Sequence, residues 1–407
     1  MGEWKELKLA DVAEITSSKR IFVSDYVSSG IPFYRSKEII EKANGEEVST
    51  ELFITENRYF EIKEAFGSPL DGDLLIAAVG ERAGIPYFVS NDGDFYFKDG
   101  NLIWFRNFKK DISSRFLLFY FKSYVGQQNL EATMIGSAQK ALTIVGLKNL
   151  EVRFPSYLEQ QAIASILSSL DDKLDLLKRQ NKTLEALAET LFRHRFVEEA
   201  EDSWREVRVR DVCKTITKGT TPTTLGNRFT ETGINFLKAE SLTDQGDLLE
   251  NKFSFIDLAT HEKLSRSRIE VNDLIITIAG TIGRVAIIPA RVVPANTNQA
   301  VAILRVAKNT VSPVFLYCLF KSTEIRNDFE SRVVHAVQPN LSLGEIGDIS
   351  FKLPPRERLE IGQAELALLF QKKERNNVQI RTLTRLRDAL LPKLMSGEVR
   401  IEVQGEC

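Results

Sequence analysis

Few residues in this 407-residue chain have the types and spacing of a catalytic site. Acidic-x-Lys triplets of the nuclease kind, whose chemistry would be phosphodiester hydrolysis, occur at Glu3–Lys5, Glu6–Lys8 and Glu61–Lys63. A chain with 27% charged residues forms such triplets freely, so they indicate little. The sequence contains no GxxxxGK[ST], GxGxxG, HExxH or GxSxG motif. We therefore expect that this chain is not itself an enzyme.

Histidine and cysteine are placed no better for metal or redox chemistry. The three histidines lie far apart in sequence, at His194, His261 and His335. That spacing is unlike the close ligand pairs of zinc sites, so we expect no metal site and no cofactor held by this chain. The cysteines at positions 213, 318 and 407 cannot form a disulfide framework or a CxxC clip, which favours a reducing compartment.

Charge and hydropathy narrow the class of protein further. No apolar run approaches the ~18 residues of a membrane span, and the first residues are too charged for a signal peptide. We expect a cytoplasmic protein with no membrane partner. The net charge of −2 argues mildly against nucleic acid as a partner, because most DNA-binding proteins carry a basic surface.

The elements that position any functional residue occur twice along the chain. Segments of the first half return in the second half at an offset close to 200 residues, and Gln139 and Pro155 match Gln338 and Pro354. The repeated segments are Trp4–Val12 and Trp204–Val212, Gly30–Arg35 and Gly233–Lys238, and Asp73–Gly80 and Asp273–Gly280. A register kept over 150 residues indicates two copies of one unit.

Each copy combines a β-rich region with a long helix, so the fold class is α+β. We place the β-rich regions at residues 1–155 and 204–354 and the helical segments at 156–203 and 355–407. Strands are predicted at Val207–Val212, Leu274–Ala279, Val285–Pro289 and Ala300–Val306, and helices at Ser114–Ser123 and Pro313–Ser322.

Both helical segments carry a heptad pattern. Apolar residues recur at alternating steps of three and four from Ile163 to Leu191, with Asn181 at one core position. In the second segment the stripe continues to Leu394, interrupted by Lys373 and Asn376, and Gly397 is a stop signal. About 38 residues give a helix of roughly 57 Å, longer than a domain of ~150 residues is wide. We expect the two helices to pack against each other, antiparallel.

The helical segments also resemble a known family, the specificity subunits of Type I restriction–modification enzymes. The resemblance lies in Pro155–Ala164 followed by Leu170–Leu174, in Thr183–His194, and in Arg387–Arg400. The two β-rich regions are similar to that family's target-recognition domains, with Lys218–Pro222 and the Asp-Leu-Leu/Ile strand motif as further matches.

This resemblance implies a non-catalytic subunit that recognises double-stranded DNA. Each recognition domain would read one half of a bipartite, asymmetric target, and the helix pair would set the spacer between the halves. Two methyltransferase subunits would dock on the helices and bring S-adenosylmethionine. Two restriction subunits would add translocation and cleavage that use ATP and Mg²⁺.

Candidate DNA-contacting residues lie in polar loops at equivalent points of the two halves. Arginine pairs well with guanine, and glutamine or asparagine with adenine, in the major groove. The candidates in the first half are Lys19, Arg20, Arg35, Lys37, Arg82, Gln139 and Lys140, and those in the second are Lys218, Thr220, Lys238, Arg284, Gln338 and Asn340. Asp171, Asp172 and Lys173 on the first helix are interpreted as solvated or partner-docking residues instead.

None of the β-rich regions or helical segments has a large net charge. The four segments carry net charges of −3, −4, +3 and +2 in chain order. Because phosphate binding scales with the Lys and Arg that face DNA, we expect weak binding by the chain alone and tight binding with methyltransferase subunits.

Two other functions remain open from the sequence. The chain could be a structural coiled-coil adaptor whose paired domains bind protein, with no sequence-specific affinity for DNA. It could also serve a reduced modification system that lacks cleavage.

Overall fold

The computed structural model describes residues 3–46, 48–136, 140–334 and 340–402, which form two compact units. The first unit is Met1–Leu176 with Gln379–Cys407, and the second is Leu177–Val378. Each unit contains one β-rich region and part of each of two long helices. The domain boundaries predicted at residues 155, 203 and 354 stay predictions.

The first unit contains ten strands and five short helices in its described residues. They are β1 (Lys5–Lys8), β2 (Glu14–Thr16), β3 (Tyr26–Val27), β4 (Ile31–Tyr34), α1 (Ser36–Ala43), β5 (Phe53–Ile54), α2 (Glu56–Phe66), β6 (Leu74–Ala77), β7 (Pro86–Phe88), β8 (Tyr96–Phe97), β9 (Leu102–Arg106), α3 (Ser114–Lys122), α4 (Tyr124–Ala132), α5 (Ile144–Asn149) and β10 (Glu151–Phe154). The first long helix, α6 (Tyr157–Arg193), follows, and a π-helical turn (His194–Glu198) continues it.

The second unit follows a similar order, with differences around the mixed sheet. Its elements are β11 (Arg205–Arg208), α7 (Val209–Val212), β12 (Cys213–Lys218), β13 (Ile234–Leu237), β14 (Ser254–Ile256), α8 (Leu258–Lys263), β15 (Arg268–Ile269), β16 (Leu274–Thr277), β17 (Val285–Ile287), β18 (Ala295–Thr297), β19 (Val301–Val306), α9 (Pro313–Lys321), α10 (Thr323–Val334), α11 (Leu343–Asp348) and β20 (Ser350–Leu353). The second long helix, α12 (Arg356–Ser396), ends the fold.

The sheets of the two units correspond. One four-stranded antiparallel sheet has the order β2-β9-β6-β7 in the first unit and β12-β19-β16-β17 in the second. A second four-stranded sheet, β3-β5-β4-β8 or β14-β13-β18-β15, is mixed, because β4 runs parallel to β8 and β13 runs parallel to β18. The internal repeat is therefore confirmed for the antiparallel sheet and for three strands of the mixed sheet. The fourth strand of the mixed sheet differs, because β3 lies beside β5 in the first unit and β15 lies beside β18 in the second.

The central strands β6 and β16 are buried along their whole length. Alternate residues of a strand point to opposite faces. Leu74 and Ile76 accordingly join the core formed with α3, while Leu75 and Ala77 join the core between the two sheets. Burial on both faces explains why this motif is a continuous apolar run without alternation.

A short antiparallel ribbon closes each β-rich region. β1 pairs with β10, with Lys5 opposite Phe154, and β11 pairs with β20, with Arg205 opposite Leu353. The prediction of one strand over Val207–Val212 is wrong in its second part, because β11 ends at Arg208. There the Asp211 carboxylate accepts a hydrogen bond of 2.8 Å from the Arg208 backbone N–H and caps a helical turn.

The other predicted elements are confirmed to within a residue or two. α3 and α9 cover the two predicted helices, and each begins where a serine hydroxyl accepts a backbone hydrogen bond. Ser113 Oγ accepts from the Phe116 N–H at 3.3 Å, and Ser312 Oγ accepts from the Phe315 N–H at 3.1 Å.

The two long helices pack antiparallel within each unit, as predicted. α6 has 37 residues and α12 has 41, so they are about 56 and 62 Å long. α12 ends before Gly397, whose φ of +77° favours glycine. In the first unit Ile163 and Leu167 share a core with Leu394 and Met395.

Ion pairs join α6 to α12 and to neighbouring segments in the first unit. Arg400 donates two hydrogen bonds, of 2.6 and 2.7 Å, to the buried Glu159 carboxylate. Asp171 lies 3.0 Å from Lys122 and 3.4 Å from Arg387. Asp171 is therefore a packing residue, which differs from its interpretation as a solvated or docking residue.

In the second unit the helix pair contains a buried polar layer. Asn181 Nδ2 donates to Asn377 Oδ1 at 2.7 Å, and Asn376 Nδ2 donates to Asn181 Oδ1 at 2.9 Å. Asn181 therefore occupies a core position as predicted. Asn376 does not break the stripe, because its side chain is fully buried against Asn181. Such a layer favours one helix register over others.

Lys373, the other interruption, is also buried. Its ammonium group pairs with Glu185 on α6 and with Asp247, 3.2 Å away, and donates to the Gln245 carbonyl at 3.3 Å. Burial alone would lower the pKa of Lys373, but Asp247 and Glu185 outweigh it and hold that pKa above its ordinary value. The Lys373 ammonium group thus links the helix pair to the segment Thr243–Asp247.

At two equivalent glycines the backbone of each mixed sheet leaves no space for a side chain. Gly30 and Gly233 immediately precede β4 and β13 and have φ of +144° and +142°. A Cβ atom would lie 2.4 Å from the Ile54 carbonyl oxygen at Gly30 and 2.5 Å from the Ile256 carbonyl oxygen at Gly233. Both positions therefore require glycine.

We predict that Gly233→Ala lowers the free energy of unfolding by about 3 kcal/mol, through the contact with Ile256 and the unfavourable φ. Gly226→Ala is the control, since Gly226 has φ of +74° and open space around its missing Cβ. It should lose about 1 kcal/mol. Urea unfolding followed by circular dichroism measures both, and equal losses would contradict the packing described for Gly233.

Candidate nucleic-acid interface

Strand order brings the candidate loops of the second unit to one sheet edge. Because neighbouring strands are antiparallel, the ends of β12 and β16 meet the starts of β19 and β17. Backbone hydrogen bonds join the turns there. The Thr220 N–H donates to the Thr297 carbonyl at 3.1 Å, and the Ile278 N–H to the Ala300 carbonyl at 2.8 Å.

Two further segments reach the same edge. The Thr297 hydroxyl donates to the Leu237 carbonyl at 2.9 Å, which brings Lys238 beside the turn that follows β18. The Leu341 N–H donates to the Ile278 carbonyl at 2.9 Å, next to Asn340. We call residues 218–221, 238, 278–284, 298–300 and 340–341 the second loop cluster. It contains every described candidate of the second half: Lys218, Thr220, Lys238, Arg284 and Asn340.

The first unit forms the equivalent arrangement. Ser17 Oγ donates to the Leu102 carbonyl at 3.1 Å, and Ser36 Oγ donates to the Asn101 carbonyl at 2.9 Å. The Ala78 N–H donates to the same Asn101 carbonyl at 2.8 Å, and the Leu142 N–H to the Ala78 carbonyl at 2.8 Å.

These bonds define the first loop cluster, residues 17–23, 35–37, 78–83, 98–101 and 140–142. It contains Lys19, Arg20, Arg35, Lys37, Arg82 and Lys140. The remaining two candidates, Gln139 and Gln338, lie outside the described residues.

The candidate side chains differ in how far they are already engaged. Arg284 is half-buried, pairs with Asp244 at 2.7 Å and donates to the Leu242 carbonyl at 3.0 Å. Arg35 pairs with the buried Glu38 at 2.6 Å, which raises the pKa of Arg35. These two side chains hold loops in place.

Other candidates are available to solvent. Lys19, Arg20, Lys37 and Arg82 are exposed, and Arg82 forms no side-chain hydrogen bond or ion pair within the described ranges. Lys238 lies 4.8 Å from the centre of the Phe229 ring, and exposed Lys140 pairs with Glu131 at 2.6 Å. The first cluster therefore presents free cations beside neutralised ones. In the second cluster Lys238 also lies 3.9 Å from Glu240, and Arg284 is paired with Asp244.

The structure adds polar residues that sequence reasoning missed. Arg266 Nη2 donates to Thr220 Oγ1 at 3.3 Å, and the Thr221 hydroxyl bonds to Gln299. Lys98 is exposed beside Arg35 at the end of β8. Polar turns before Leu102 and Val301 could have indicated Lys98 and Gln299. Nothing in the sequence pattern indicates Arg266, which reaches Thr220 only through the fold.

The described part of the chain contains no group of three or more His, Cys, Asp and Glu placed to bind a metal ion. Of the histidines, His261 bonds to Asn296 and His194 lies beside Glu198 and Glu199. Within the same residues no helix is long and apolar enough to span a membrane.

Comparison with known proteins matches this duplicated architecture. The sequence profile of the Type I restriction modification DNA specificity domain matches residues 1–186 and again residues 201–382. The chain belongs to this family. The family resemblance found in the helical segments is thereby confirmed, and DNA-sequence recognition is the function the family supports.

Individual relatives match over nearly the full chain. The Type I restriction enzyme MjaIX specificity subunit of Methanocaldococcus jannaschii is 26% identical, over 98% of this chain and 94% of that protein. The HindI specificity subunit of Haemophilus influenzae is 21% identical, over 98% and 100%. The crystal structure of the S subunit of a Type I system from Mycoplasma genitalium superposes with a TM-score of 0.63, 18% identity and 96% coverage of both chains. This family member shares the fold.

Arginines of the corresponding loop in the two clusters should respond differently to mutation. We predict that Arg82→Gln leaves stability unchanged and reduces the salt dependence of DNA binding by about one unit of slope. Arg284→Gln should instead destabilise the protein by about 1–2 kcal/mol, because two hydrogen-bond acceptors lose their donor. Thermal unfolding and binding titrations at several salt concentrations separate these outcomes. A stability loss for Arg82→Gln would contradict its assignment as a free surface cation.

Proposed function

We propose that this chain is the DNA-recognition subunit of a Type I restriction–modification complex and that it has no catalytic role of its own. The observation that carries the proposal is the pair of loop clusters. Two β-rich regions that share the order of one antiparallel sheet each gather basic and polar side chains at the same edge of that sheet. The loops differ in sequence, so each region would read a different half of a bipartite, asymmetric target.

The clusters suit base reading better than phosphate binding. Several of their cations are neutralised by neighbouring carboxylates, including Lys140 by Glu131 and Arg284 by Asp244. Base readout needs a few well-placed donors, whereas affinity comes mostly from phosphate contacts. The chain therefore needs additional positive surface from its partners, in agreement with the weak binding expected for it alone.

The long helices offer a surface for those partners. Large apolar side chains remain exposed along both, for example Leu187 and Leu368, which are 51% and 65% exposed. We propose that two methyltransferase subunits dock there and bring S-adenosylmethionine, and that two restriction subunits add cleavage driven by ATP and Mg²⁺. The complex would act on DNA in the cytoplasm.

Methylation mapping tests the function as a whole. Co-expression of this chain with the methyltransferase of its own system should modify adenines on opposite strands of one split motif. The measurement is modified-base sequencing of the host DNA. A soluble, co-purifying pair that leaves DNA unmodified would contradict recognition and favour a protein-binding adaptor. Modification without restriction of unmodified phage DNA would indicate a system that lacks cleavage.

The helix pair is proposed to set the spacer. Seven residues inserted after Leu176 in α6 and seven after Val378 in α12 keep the heptad pattern in both helices. The insertion adds about 10 Å along each helix, equal to the rise of about three base pairs. We predict a longer spacer, by up to that amount, with both half-sites unchanged in the methylation map. A changed half-site would contradict the role of the helix pair as the spacer. The control is insertion in α6 alone, which moves Asn181 out of register with Asn376 and should give an inactive complex.

A further inference from the structure

The first loop cluster exposes two large apolar side chains that folding does not use. Phe22 is 59% exposed and Val23 is 80% exposed, and they are consecutive at the turn that follows β2. A single exposed apolar residue on a protein surface is ordinary. Two neighbours at the tip of a loop, inside a candidate binding surface, indicate an interaction site.

The tip is held in place by the residues on either side of it. Ile21 is buried in the core with Phe33, Ile54 and Tyr96. The Lys19 N–H donates to the Tyr96 hydroxyl at 2.8 Å. The Phe22 N–H donates to Asp25 Oδ2 at 3.1 Å, and the Asp25 N–H donates to the Phe22 carbonyl at 2.9 Å. The loop therefore holds Phe22 and Val23 in a preformed arrangement, which lowers the entropy cost of ordering them when a partner binds.

The charge around the tip indicates the class of partner. The Arg20 guanidinium lies 5.5 Å from the centre of the Phe22 ring, whereas the ammonium group of the exposed Lys19 lies 4.3 Å from the centre of the Phe66 ring. Neither side chain forms an ion pair with a residue that the structure describes. An apolar tip with one unpaired cation against it and a second one nearby fits DNA, in which an apolar group is displayed among phosphates.

DNA displays one such group in the major groove, the 5-methyl group of thymine. We propose that Phe22 and Val23 are specificity-determining residues that pack against a thymine methyl group in the half-site read by the first loop cluster. Arg20, stacked on Phe22, would then face a neighbouring base pair. This inference rests on the proposed function, and it adds a contact that hydrogen-bonding candidates alone do not supply.

The equivalent turn of the second unit lacks this feature. Pro222 is buried there, Thr223 and Thr224 are exposed, and Leu225 is the one large apolar residue of that turn, 51% exposed. No basic residue lies between Gly219 and Leu225, and the basic residues nearest that turn are Lys218 before it and Arg266, which donates to Thr220. Two adjacent exposed apolar residues with an arginine against one of them thus belong to the first unit, as expected of a residue set that reads one half-site and not the other.

The test uses the chain in complex with its methyltransferase, on short duplexes that carry the mapped target. Each thymine is replaced in turn by deoxyuridine, which removes only the methyl group. For the unmodified protein, one thymine of one half-site should show binding weakened about fourfold, the amount expected for one buried methyl group. Phe22→Ala should weaken binding to the normal duplex and lose the sensitivity at that same thymine.

Leu225→Ala is the matched control, since it removes an exposed apolar side chain at the equivalent turn. It should keep the full sensitivity at the thymine coupled to Phe22. Because Phe22 is exposed, its variant should also unfold at the same temperature as the unmodified protein, so that a binding loss is not a folding loss.

Three results would overturn the inference while leaving the proposed function intact. They are unchanged deoxyuridine ratios in Phe22→Ala, half-sites composed entirely of G·C pairs, and loss of the methyltransferase from purified Phe22→Ala, which would make the tip a protein contact. An unmodified complex that neither binds nor methylates DNA selectively would overturn the proposed function, and this inference with it.

Discussion

Burial of a single strand on both faces is the constraint on which each β-rich region depends. β6 and β16 lie between two apolar cores, and each has antiparallel neighbours on either side. A slip of one residue would exchange the two faces, whose packing partners differ. The strand therefore has one register. That register places the ends of β2 and β6 and the starts of β9 and β7 at one edge, where the loops of the first cluster emerge.

The same constraint explains why loops of different sequence can share one geometry. The turns of each cluster are joined chiefly through backbone N–H and carbonyl groups, as in the bonds from Thr220 to Thr297 and from Ala78 to Asn101. Backbone bonds do not depend on side-chain identity. Side chains in the clusters are thus free to vary with the DNA target. The exceptions are side chains such as Arg284 that hold a loop in place.

Much of the architecture could be predicted from sequence, because repetition and heptad spacing are independent of tertiary context. The long helices, their packing against each other and the core position of Asn181 all follow from the apolar pattern. The helical turn at Val209–Val212 was missed because Asp211 caps it against the local strand propensity. Asn376 and Lys373 read as interruptions, since only the fold supplies Asn181 and Glu185 as their partners. The fold also decides which candidate side chains lack a hydrogen-bond or ion-pair partner, as the contrast between Arg82 and Arg284 shows.

The terminal ribbons have a consequence for how such a chain can change over time. β1 pairs with β10 and β11 pairs with β20, so the chain enters and leaves each β-rich region at neighbouring points. A region whose two ends are adjacent can be exchanged as a unit while the helices that follow it stay intact. Recombination between relatives at these ribbons would therefore replace one region whole and leave the rest of the chain able to fold.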